Sequence, residues 1–164
     1  MKKYHLRRKD KAIKGEKLML DFLEGQQTVT IALSKGDIPY LFTADYGFDR
    51  DSKSIFIHCA SKGKKVDYIK KNPRVWGQVM QDMGYVQGDC DHKYRTVQFW
   101  GKASLVTDLE RKREALCVMI DQLEEDNETG KKEFIRGKKF KDVLIIRIDI
   151  EGLSGKESLP DRTG

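Results

Sequence analysis

Apolar residues fall in short bursts separated by turn signals, and the spacing inside each burst predicts its structure. From Glu16 to Glu24, Leu18, Met19, Phe22 and Leu23 recur at helical spacing, with Gly25 placed to end the helix. Gln27 to Leu33 is rich in β-branched residues and reads as a strand. Ser34-Lys35-Gly36-Asp37 is a turn, and Pro39 to Ala44 reads as a second strand. After a turn over 47–54, Ile55 to Ala60 gives a third strand, so the first three are expected to form an antiparallel meander. Ser61 to Lys71 predicts a short helix with Val66 and Ile69 inward and Asn72-Pro73 as its stop.

The second half repeats this punctuation. Arg74 to Met80 is expected as a strand, followed by a loop through Gly84, Gly88 and Asp89-Cys90-Asp91. Tyr94 to Val106 is a long strand in which Gly101 marks a bend or bulge. Thr107 and Glu110 have capping-box spacing ahead of a helix striped by Leu109, Leu116, Ile120 and Leu123. Residues 130–141 are basic and weakly patterned. Asp142 to Ile150 is the last strand, and 152–164 read as a frayed tail. The expected fold is mainly β: six antiparallel strands in a barrel with short helices over its openings. The crossovers are too short for a parallel sheet of βαβ units.

Composition changes this picture in two places. The chain has 164 residues and a formal net charge of +6, and 38% apolar residues suffice for one core. Residues 1–14 hold seven basic residues against Asp10 alone, so this arm accounts for the whole net charge. Residues 15–151 then form the domain and 152–164 the tail. A basic protein raises nucleic acid as a partner; here only the arm could serve it, so nucleic acid is not expected. No apolar stretch approaches the roughly 18 residues of a membrane span, and no signal-like apolar run follows the basic start. Cys59, Cys90 and Cys117 are odd in number and lack a CxxC pair, which points to a reducing, cytoplasmic setting.

Candidate chemistry concentrates in Ile57-His-Cys-Ala-Ser-Lys-Gly-Lys-Lys65. A strand ends, Ser61 can cap the following helix, and Lys62, Lys64 and Lys65 crowd its start. Lysines oppose the helix dipole there, so an anion such as a phosphate would resolve the conflict. The same lysines could equally decorate an exposed helix, and both readings stay open on spacing alone. Neither GxxxxGK[ST] nor GxGxxG is present. His58 shares a strand face with Phe56 and Ala60, beside the candidate anion site. Cys59 faces the other way, as a small core residue. His58, Cys59, Cys90 and His92 match no usual zinc spacing, so no metal is expected. The histidines supply no recognisable Ser-His-Asp set.

The order of motifs resembles the flavin-binding split-barrel proteins related to pyridoxamine 5′-phosphate oxidase, in the branch similar to nitroimidazole-resistance proteins. The likeness is carried by Leu6 to Ile13, Ile38-Pro-Tyr, Asp45 to Asp49, Ile55 to Lys65 and Lys71-Asn-Pro-Arg-Val75. Further matches are Tyr94 to Val97, Phe99 to Ala103, Ile148-Asp-Ile150 and Gly155 to Ser158. The resemblance implies a six-stranded FMN-binding split barrel that forms a homodimer with cofactor at the subunit interface. It places the phosphate at Ala60, Ser61, Lys64 and Lys65, and the flavin ring along Phe42, Thr43 and Ala44. It puts His58 at the active site. The implied activity is FMN-dependent reduction of a small, electron-deficient, nitroimidazole-like molecule. Arg-x-Val-Leu-Leu-Lys and Arg-Leu-x-Pro, characteristic of the true oxidases, are absent, which disfavours vitamin B6 oxidation. Because some split-barrel branches bind haem or a deazaflavin, a haem-binding or haem-handling role is the alternative.

Overall fold

Strict alternation of buried and open positions along Thr28–Lys35, with Val29, Ile31 and Leu33 inward, sets the inner face of the sheet. A computed structural model describes residues 6–136, 140 and 142–159. It contains α1 (Glu16–Glu24), β1 (Thr28–Lys35), β2 (Ile38–Asp45), β3 (Gly47–Asp49), β4 (Ser54–Ala60) and α2 (Lys64–Lys71). These are followed by β5 (Arg74–Val86), β6 (Asp91–Val106), α3 (Leu109–Leu123), α4 (Asn127–Arg136) and β7 (Val143–Ser158). All strand pairings are antiparallel, in the order β2-β1-β5-β6-β7-β4-β3. The expected class, a mainly β antiparallel split barrel with flanking helices, is the one observed.

The core lies inside the curl of this sheet. Val29, Ile31, Ile55, Ile57, Val79, Val97, Phe99, Ile146 and Ile148 are almost wholly buried there, with Leu23 of α1 and Ile69 of α2 closing the ends. A smaller cluster forms on the outer face of β4 and β7, where Phe56 and Ile145 meet Ala115, Leu116 and Met119 of α3. Strand β4 is therefore covered on both sides from Ser54 to Ile57 and emerges only at His58.

Several expectations need correcting. The first three predicted strands do not form a meander: β1 and β2 make a hairpin, but β4 pairs with β7 and with the short β3. Local spacing cannot choose between a neighbouring partner and one 90 residues away. The turn expected over 47–54 contains β3, which makes the seventh strand. Gly47 packs so closely under α3 that a Cβ would lie 2.7 Å from the Met119 backbone. Gln122 fixes the same junction: its Oε1 accepts the Phe48 N–H at 2.8 Å and its Nε2 donates to the Gln26 carbonyl at 2.6 Å. Residues 152–158 are not frayed but continue β7 against β6. The basic arm is also partly docked. Ala12 bridges Lys156, the Ile13 N–H bonds the Gly155 carbonyl, and Ile13 is buried. Met1 to His5 and residues 160–164 of the predicted arm and tail lie outside the described residues.

Smaller differences follow from how helices meet the sheet. Leu18 and Leu109, expected inward, are exposed, while Leu20, Ala115 and Met119 are buried instead. Helix α3 is capped by Asp108, which accepts the Arg111 N–H, rather than by Thr107. The weakly patterned 130–141 segment contains most of α4.

Gly101 sits where the β6–β7 register shifts, as its position in the sequence predicts. A Cβ there would lie 2.0 Å from the Asp149 carbonyl oxygen, which is backbone and cannot swing aside. Gly101→Ala is expected to destabilise the protein by about 1–3 kcal/mol, read from the urea midpoint. An unchanged midpoint would contradict the packing described for this bulge.

Candidate functional site

The site forms where β4 runs out of cover and turns into α2. His58 and Ala60 project on the exposed face while Cys59 turns back toward the core. Burial pushes the Cys59 thiol up from its ordinary pKa, with nearby Lys65 opposing in part. This fits the small core residue expected from the sequence rather than a thiolate nucleophile.

Ser61 does not cap α2. The chain uses Ser61, Lys62 and Gly63 to reverse direction, and Gly63 takes the N-cap position with φ +133° and no side-chain cap. A side chain is strained at that angle, although the space around the missing Cβ is open. The requirement is therefore conformational. It leaves the first-turn N–H groups of α2 without a side-chain acceptor, aligned with the positive end of the helix dipole.

Three lysines surround this point. Lys64 Nζ lies 4.5 Å from the centre of the Tyr40 ring and 5.6 Å from that of Tyr68, and Lys65 Nζ lies 4.4 Å from that of Phe42. Tyr40 and Tyr68 pack against one another at 5.3 Å. Strand alternation puts Tyr40, Phe42 and Ala44 on the face of β2 turned toward the core and toward these lysines. Among the described residues, Lys62, Lys64 and Lys65 form no ion pair. Aromatic faces hold two of the ammonium groups while leaving their charge uncompensated.

Tyr40, His58, Cys59, Ala60, Lys62, Gly63, Lys64, Lys65, Asp142 and Val143 line a cavity of about 420 Å³. It thus unites His58, Ala60, Lys64 and Lys65 of the expected set. Ser61 lies in the turn between the lining residues Ala60 and Lys62 but is not itself in the lining, and Phe42 meets the site only through its contact with Lys65. Thr43 is not part of it: it points to the opposite face of β2, where its hydroxyl pairs with that of Thr30 at 2.9 Å. Ala44 packs against the core beyond the cavity. The structure adds Tyr40 to the expected set, and its period-two spacing from Phe42 is the signal for it. Lys62, grouped with Lys64 and Lys65 by its place at the helix start, also lines the cavity although the resemblance does not assign it. The donor set, made of a hydroxyl, ammonium groups and free helix N–H groups, suits a phosphate. Asp142 is the single carboxylate in the lining and forms no ion pair with the lysines. No group of His, Cys, Asp and Glu able to hold a metal occurs among the described residues. No helix among them is long and apolar enough to cross a membrane.

Residues 16–157 match the sequence model of the pyridoxamine 5′-phosphate oxidase family, and the chain belongs to that family. No curated protein sequence matches it. Among solved structures, the fold is similar to that of a candidate 5-nitroimidazole antibiotic resistance protein from Bacteroides thetaiotaomicron. That match has 17% identity over 88% of this chain and 85% of the other, with a TM-score of 0.73. An FAD-binding protein from Mesorhizobium loti shares 22% identity over 88% and 95% of the two chains, at a TM-score of 0.61. An FAD- and haem-binding protein from Mycobacterium smegmatis aligns over 93% and 77%, with 17% identity and a TM-score of 0.75. At these identities the likeness is one of fold.

Thiol reactivity provides a check on the local environment. Cys90 is exposed at the β5–β6 turn, whereas burial raises the pKa of both Cys59 and Cys117. Iodoacetamide at pH 8 is expected to modify Cys90 first, with Cys59 and Cys117 at least tenfold slower by peptide mass spectrometry. Preferential labelling of Cys59 would show that it is an activated thiol.

Proposed function

We propose that this protein is an FMN-binding oxidoreductase that reduces a small, electron-deficient substrate. The observation that carries the reading is the uncompensated Lys64–Lys65 pair held over Tyr40 and Phe42 at the open start of α2, beside His58. In this reading Lys64, Lys65, Ser61 and the backbone from Ala60 onward hold the FMN phosphate. The β2 face carrying Tyr40 and Phe42 supports the ring system. When bound, the flavin supplies the redox chemistry. His58 stands outside the anion-binding turn, with its imidazole able to donate a hydrogen bond or proton to the reducible group of the substrate.

The FAD-binding neighbours, one of which also binds haem, support a flavin, and a donor set for phosphate favours a nucleotide cofactor. The absence of the oxidase phosphate strand keeps vitamin B6 oxidation outside the proposal. A homodimer is part of it. Leu41 of β2, on the face opposite Tyr40, is 63% exposed, and Met80 on β5 is 47% exposed. Trp76 and Trp100 stack at 5.2 Å while remaining half-buried. Covering such a face with a second copy would bury apolar surface and close the site from outside. Three free cysteines and the redox role accord with a cytoplasmic protein.

The protein reconstituted with FMN is expected to retain a flavin absorption spectrum through gel filtration. Replacing both Lys64 and Lys65 by Ala should weaken FMN binding by roughly 100-fold, as two charge-assisted contacts are lost. His58→Ala should lower turnover of an electron-deficient substrate by roughly 100-fold. A colourless protein that takes up haem with a Soret band, and ignores FMN, would replace this reading with the haem alternative.

A further inference from the structure

Around the corner from the lysines, His58 and Val143 also line a second cavity, of about 280 Å³. Its walls are Leu116, Met119, Ile120 and Leu123 on one face of α3, Phe134 of α4, and Val143. The polar residues in its lining are His58 and Glu124. Phe134 is 52% exposed, an unusual state for an aromatic ring at the edge of an apolar cavity. We infer that this cavity is the substrate-recognition pocket, and that it takes a small, uncharged, ring-bearing molecule with its apolar end under α3 and its polar, reducible group at His58.

Size, polarity and position each contribute. The volume falls just below the roughly 300–1,000 Å³ of drug-sized ligand pockets, so it accommodates one ring with short substituents rather than an extended cofactor. A buried ring would displace water from Leu116, Ile120 and Phe134, and this apolar contact drives binding. Glu124, at the exposed end of α3 in the same lining, opposes a negatively charged ligand. His58, shared between the two cavities, is the point at which such a molecule meets whatever the lysines hold. The inference rests on the reading of the neighbouring site as the flavin site, yet binding in this pocket can be measured without any flavin.

The probes are 4-nitrotoluene, neutral and apolar, and 4-nitrobenzoate, which carries a carboxylate at the end opposite the nitro group. Binding to the flavin-free protein is followed by ligand-observed NMR, with FMN affinity measured separately on each variant. Leu123→Trp fills the cavity from a half-buried position, and Phe134→Ala removes a wall at an exposed one, so at least one variant keeps the fold. The expected result is binding of 4-nitrotoluene to the wild type that falls at least fivefold in the folded variant or variants. 4-Nitrobenzoate should bind at least fivefold more weakly than 4-nitrotoluene, and FMN affinity should stay within about twofold. Absence of 4-nitrotoluene binding, equal binding of the two probes, or unchanged affinity in a folded variant would overturn the inference. Loss of FMN binding by the wild type, with the probe results intact, would instead remove the flavin reading and leave the pocket standing.

Discussion

The arrangement depends on where one strand stops being covered. From Ser54 to Ile57, β4 is sandwiched between the barrel interior and α3, and its side chains are buried on both faces. From His58 to Ala60 that cover ends on the outer side. The following bend through Gly63 then presents the start of α2 rather than its flank. Because β4 pairs with β7 along its whole length, the point of emergence is fixed by the sheet register and not by the flexibility of a loop. Rigid strands position a site more closely than loops do. His58 is therefore held at a defined place between two cavities of different chemistry.

Electrostatics then separates those cavities. Lysines in the first turn of a helix work against its dipole, at a cost of roughly 0.3–1 kcal/mol each. Contacts with Tyr40 and Phe42 return a similar amount, about 0.5–1 kcal/mol for an exposed cation over a ring. The balance leaves the charges in place without a carboxylate to neutralise them, an arrangement suited to an anion that comes and goes. Under α3 the lining is almost wholly apolar and contains no lysine. An anionic cofactor and an uncharged substrate would thus be sorted by the chemistry of adjoining walls, with one imidazole common to both.

Much of the barrel was legible because its strands alternate clearly and its turns carry Gly, Asn and Pro. Gly101 announced its bulge, and the β-branched run of β1 announced the hairpin it forms with β2. Strand β3 was not legible, because its three residues are held by the α3 backbone above Gly47 and by Gln122, both far away in sequence. The continuation of β7 through Gly152 and Gly155 was hidden for a related reason: glycines that read as fraying are needed where Trp100 and Ile13 approach the strand. At the site, the Ile57–Lys65 segment stood out through its charge pattern and the family resemblance. Tyr40 shares the period-two face of Phe42, but its approach to Lys64, like the apolar cavity beneath α3, depends on tertiary packing, which no local pattern encodes. Thr43 shows the converse, since adjacency to Phe42 in sequence puts it on the opposite face of the strand.

The central claim is that this turn recognises a phosphate attached to a flavin ring. Comparing FMN with riboflavin tests it most directly, because the two differ only in that phosphate. Fluorescence-quenching titrations on the wild-type protein should show FMN binding roughly 100-fold more tightly than riboflavin, with the difference shrinking as salt is raised. Equal affinity for the two, or a preference indifferent to salt, would contradict the assignment of Lys64 and Lys65 to a phosphate.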